Sequence, residues 1–113
     1  MARFTKQLLS GSANGRNIKV AATGTPGTAI HVAHATAKDR VRLEACNTDT
    51  TDRKLTLECG GVTSPDDLCE VTIPAESGWI PVFDGYLTGG VTMAAFAATA
   101  NVINIRGEVD RLA

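Results

Sequence analysis

Between Arg40 and Ile73 the side chains change character at nearly every step. Val41, Leu43 and Ala45 alternate with Arg42, Glu44 and Cys46; Leu55, Leu57 and Cys59 alternate with Thr56 and Glu58; Cys69, Val71 and Ile73 alternate with Glu70 and Thr72. Successive Cβ atoms of a strand point to opposite faces, so a period of two belongs to strands and not to a helix, whose period is 3.6. Each segment then carries one dry and one polar face, as two packed antiparallel sheets require. The chain end keeps the same time. Ile103, Ile105, Gly107 and Val109 share one parity, and Asn104, Arg106, Glu108 and Asp110 the other.

Turn formers cut the rest into short pieces. The segments 17–23, 28–33, 40–47, 54–59, 68–74, 78–83, 91–98 and 102–109 read as strands, separated by stretches such as GTPG, TDTTDR, GGVTSPDD and DGYLTGG. Alanine favours helices, yet "VTMAAFAA" sits among strands and is too short to depart from them. It is read as a strand whose two faces are both crowded by protein. Pro81 removes a ladder donor, which places its strand at a sheet edge or at a bulge. The expected fold is all-β: a small antiparallel β-sandwich or jelly roll of about eight strands, residues 17–113, behind an N-terminal arm, residues 1–16. Phe4 and Leu8 lie four apart, so the arm could form one helical turn. A lone turn is unstable, and the arm is expected to order against a partner.

With 113 residues the chain holds one modest core. A net charge of -1 argues against nucleic acid and anionic membranes as partners. Three Phe, one Trp and one Tyr are few for a stacking platform. No stretch approaches the about 20 apolar residues of a membrane-spanning helix, and the N-terminus lacks a secretory apolar run, so a soluble chain made in a cytoplasm, or a mature form whose leader has been removed, is expected. Cys46, Cys59 and Cys69 are odd in number and lack C-x-x-C spacing; they are read as reduced, core or half-buried residues.

Candidate chemistry is sparse. His31 and His34, three apart, would face opposite sides of a strand and read as polar residues at its end. Asp49, Asp52, Asp66 and Asp67 lie in oxygen-rich loops without the spacing of a calcium loop, and read as turn caps. No nucleophile elbow or P-loop is present. No catalytic, cofactor-binding or metal-ligating residue is therefore assigned, and no enzyme activity is expected. Phe4, Leu8, Leu9, Trp79 and Tyr86 remain as candidate interface anchors, because large apolar and aromatic side chains dominate interface energetics.

The segments ATGTPGTAIHVAHA, DRVRLEACNTDTTDRKLTLECGGVTSPDDLCEVTIPAESGWIPV and LTGGVTMAAFAATANVINIRGEVDRL together resemble capsid decoration (cement) proteins of tailed bacteriophages over roughly residues 21–112. That resemblance implies a β-sandwich subunit, usually a homotrimer, bound to the major capsid protein on the capsid surface where capsomers meet. It also implies a virion protein assembled in the cytoplasm of a bacterial host. A head-completion, tail or fibre-attachment protein is the alternative within the virion; a carbohydrate-binding module, with Trp79 and Tyr86 as its stacking residues, is the alternative outside it.

Overall fold

The computed structural model describes residues 4–112, all of it strand, turn or loop. Nine strands run in the order β1 (Phe4–Gln7), β2 (Ile18–Lys19), β3 (Thr28–Val32), β4 (Lys38–Asn47), β5 (Arg53–Cys59), β6 (Leu68–Ile73), β7 (Ile80–Leu87), β8 (Thr92–Ala97) and β9 (Ile103–Leu112). One sheet has the order β1-β9-β4-β7, with β2 also on β9; the other has the order β3-β8-β5-β6. We call them the first and second sheets. Every pairing is antiparallel.

The pairings are nested. The first strands meet the last one, β3 meets β8, β4 meets β7 and β5 meets β6, as if one long hairpin had been bent at the β5–β6 turn. The β4–β9 and β5–β8 ladders then roll that hairpin into two facing sheets. This is a jelly-roll sandwich, the narrower of the two architectures expected from the alternation. Between the sheets lie Val41, Leu43, Ala45, Ile105 and Val109 from the first and Leu55, Leu57, Met93, Ala95 and Ala97 from the second, none more than 2% exposed. The parities found in the sequence thus face each other.

Pro81 lies on β7, the edge of its sheet, and the β4–β7 register shifts between Leu43 and Glu44, where Pro81 pairs. Edge and bulge occur together, because an outer strand loses least from a missing donor. That strand runs on to Leu87, so Tyr86, expected in a turn, lies on it.

Two expectations need correction. Residues 1–3 of the expected arm lie outside the described residues, but from Phe4 onward the segment is part of the sandwich. Strand β1 pairs with β9 through four registers, the Gly11 amide bonds to the Ile30 carbonyl, and Leu9 is 2% exposed in the core. Phe4 to Gln7 form no helical turn: the open edge of β9 offers backbone partners that an isolated turn lacks. Second, Cys69 shares a parity with Val71 and Ile73, yet β6 is an edge strand and leaves it exposed, while Cys46 and Cys59 are half-buried. The crowding expected on the second face of β8 comes, around Ala94, from this chain's own loop. Glu58, opposite Ala94, accepts hydrogen bonds from the Thr25 hydroxyl (2.5 Å) and the Gly27 amide (2.6 Å), holding that loop over the sheet. Ala94 is only 6% exposed as a result. At Gly27 a Cβ would lie 2.5 Å from the Ala95 carbonyl oxygen, so glycine is what lets the loop come so near.

Candidate interaction face

Residues directly opposite in a ladder point to the same face. Lys6, Asp110, Arg40 and Tyr86 form one such row across the first sheet; Glu108, Arg42 and Asp84 form the next, and Arg106, Glu44 and Pro81 another. All these rows face outward. The result is a grid of alternating charge. Lys6 reaches Asp110 at 2.8 Å, Arg42 reaches Asp110 at 2.5 Å, Arg40 reaches Asp84 at 2.9 Å and Arg106 reaches Glu44 at 2.9 Å. Hydrogen bonds from Lys6 and Arg42 hold the Asp110 carboxyl below its ordinary range, and Arg40 does the same for Asp84. A groove of about 520 Å³ crosses the grid between Arg42 and Asp84 on one bank and Glu44 and Arg106 on the other.

Four of the five candidate anchors gather on this face. Phe4 has the parity of Lys6 on β1 and is 55% exposed; Leu8 continues that parity and is 58% exposed; Tyr86 is 56% exposed at the opposite edge. Trp79, half-buried just ahead of β7, lies under the Arg106 guanidinium, 4.2 Å from its ring centroid. That stacking is a cation–π contact, and it occupies one face of the only tryptophan. Leu9 is the exception. Its side chain is spent in the core and offers nothing to a partner.

No protein-family model, curated protein or solved structure matches this chain.

The second polar cluster is one the sequence reading missed. His31, 1% exposed, places Nε2 at 2.8 Å from Asp39 Oδ2, and Asp39 also accepts Arg111 Nε at 2.7 Å and Nη2 at 3.0 Å. The His34 amide adds a fourth bond at 3.2 Å. Burial by itself would raise the Asp39 carboxyl, but hydrogen bonds from Arg111 and His31 outweigh it and hold the group at about 2. On the other side of the ring, the Ser10 amide donates to His31 Nδ1 at 3.0 Å. That bond assigns the tautomer: Nδ1 accepts, so Nε2 carries the proton and donates to Asp39.

Ser10, His31 and Asp39 share their residue types with a hydrolytic triad, but the bonding differs. The Ser10 hydroxyl accepts from the Val32 amide at 2.7 Å, and both ring nitrogens are taken by other partners. A triad needs a ring nitrogen free to take the hydroxyl proton. Here the cluster is a buried brace. His31 is therefore no ordinary polar residue at a strand end. His34 lies beyond β3 and its Nδ1 accepts the Thr36 and Ala37 amides, closing a turn.

The acidic loops are likewise self-contained. Asp49 pairs with Arg53 at 2.6 Å, Asp52 accepts the Ala75 amide, and Asp67 accepts the Thr63 amide. Among the described residues no group of three His, Cys, Asp or Glu is placed to hold a metal ion. The three cysteines are unpaired, and burial with help from Cys69 and Asp67 pushes the Cys59 thiol up to about 11, away from thiolate chemistry.

Proposed function

We propose that this chain is a non-enzymatic structural protein of a bacteriophage virion. It sits on the capsid surface as a homotrimer at capsomer junctions, where it reinforces the lattice of the major capsid protein. The observation that carries this reading is the outer face of the first sheet, where Phe4, Leu8, Trp79 and Tyr86 surround a self-neutralised charge grid. Apolar anchors supply contact area, and a grid of paired charges rejects partners that do not match it. A jelly roll is shared by capsid, lectin and cupin domains, so the fold alone leaves function open. The choice among them rests on the resemblance of residues 21–112 to decoration proteins. Three linked copies would turn three modest contacts into firm seating, because the second and third engage at high effective concentration.

The test is reassembly. Purified protein is mixed with capsids stripped of their surface proteins, and bound copies are counted against a variant carrying Leu8→Ala and Tyr86→Ala. Saturable binding in multiples of three, lost in the double variant, is expected. A strict monomer by sedimentation equilibrium together with absent capsid binding would remove the proposal.

A further inference from the structure

The segment from Phe4 to Gly11 fastens the two sheets together. At its start β1 lies on β9 of the first sheet; at its end the Gly11 amide bonds to Ile30 and the Ser10 hydroxyl accepts from Val32, both on β3 of the second. Leu9 enters the core between those attachments. The Ser10 amide also donates to His31 Nδ1, and among the strap's backbone hydrogen bonds this is the one whose acceptor is a histidine nitrogen that must lack a proton. We propose that His31 is a pH-operated latch for this strap: protonation of Nδ1 releases residues 4–11 from β9 and β3 while the rest of the sandwich stays folded.

The bond geometry dictates the response. When Nδ1 takes up a proton, two N–H donors face each other across 3.0 Å and the bond becomes a repulsion. The charged ring must then keep a partner or the whole domain would fail. It has one. Asp39 on β4 remains hydrogen-bonded to Nε2, and with its carboxyl held at about 2 it stays ionised throughout the range in which histidines titrate, roughly pH 5 to 8. Arg111 on β9 is the other charged group in the cluster, and it donates to the same carboxylate. His34, which follows β3, contributes only its backbone amide to Asp39, since its Nδ1 is turned towards Thr36 and Ala37. The strap side of the ring offers no carboxylate: Ser10 presents an amide there, and Lys6 is engaged on the outer face with Asp110 and Glu108. Acid is thus tolerated on the Asp39 side and rejected on the Ser10 side, so opening is local.

Amide hydrogen exchange on the intact chain tests this, read as protection factors so that the intrinsic pH dependence of exchange is removed. Between about pH 8 and about pH 5, protection of residues 4–11 should fall by at least about tenfold, following one proton per strap. Protection along β4 and β8 should hold. In His31→Asn, the side-chain oxygen can still accept from Ser10 but does not titrate, and strap protection should no longer depend on pH in this range. Nitrogen NMR of the ring in the unaltered protein gives a second readout, expected to change from the Nε2–H tautomer to the doubly protonated ring as the strap opens. Strap protection that is constant in the unaltered protein, or loss of protection everywhere at once, would overturn the proposal. So would acid sensitivity that survives in His31→Asn.

Discussion

On the β4–β9 ladder, Asp39 faces Arg111, and one residue further along Arg40 faces Asp110. Both rows join an aspartate to arginine, yet they live in different media. The Asp39 carboxylate is fully buried and answers to a buried histidine as well as Arg111; Arg40 turns to the half-exposed Asp84 on the outer face, and Asp110, largely covered there, is shared by Lys6 and Arg42. The same one-residue step separates Leu8, 58% exposed, from Leu9, 2% exposed. A strand's alternation therefore decides more than which residues are dry. It decides whether an ion pair is a brace that the fold depends on or a surface feature available to a partner, because desolvation penalties and screening differ so much between the two faces.

The largest effect is expected at the buried row. Asp39→Ala leaves His31 and Arg111 without their shared acceptor, and loss of one member of a buried pair costs roughly 3–5 kcal/mol; denaturant unfolding monitored by Trp79 fluorescence should register it. If the midpoint barely moves, the brace is ornamental and the contrast between rows fails.

Leu9→Ala comes next, at about 2–4 kcal/mol for a core cavity, whereas Leu8→Ala should leave the unfolding curve unchanged and weaken only the proposed capsid binding. The pair sharpens the comparison because the two substitutions are chemically identical. Equal costs would mean that the strap does not pack as described.

Acid titration gives a smaller effect. The Asp39 carboxyl is held at about 2 in the folded chain, below the 3.8 of an unperturbed aspartate. The folded state therefore binds its proton less readily than the unfolded state does. The corresponding stability is fully present above about pH 4 and drains away as pH falls towards 2, amounting to roughly 2 kcal/mol. Unfolding free energies measured across that interval should show the loss, and Asp39→Asn should lack this component.

The smallest effect belongs to the outer grid. Arg40→Ala removes the two-pronged contact with Asp84, at 3.0 and 2.9 Å, but both groups are solvated. Its unfolding midpoint should stay close to that of the unaltered protein, and any difference should fade as salt is raised. A large, salt-insensitive loss would show that the grid braces the fold.

Much of this molecule was legible in its sequence, for reasons that are local. Alternation from Val41 to Ile73 and again from Ile103 to Val109 assigned faces to strands before any pairing was known, because side-chain direction in a strand depends only on parity. Pro81 announced an edge because its missing donor is a property of the residue itself. Phe4, Leu8, Trp79 and Tyr86 could be singled out as candidate anchors by type, though not as residues of one face. What only the tertiary structure decided depends on distant partners. Residues 4–7 lack a strand's signature and become one because β9 exposes an edge to them. Cys69 keeps a core parity yet is exposed, since β6 has no neighbour on one side. Ala94 is covered by a loop tied down at Glu58, more than thirty residues along the chain from that loop. His31 meets Asp39 and Arg111 from three strands, the last pair 72 residues apart, and parity cannot foresee that meeting, because it arises where two sheets and a strap close on one another.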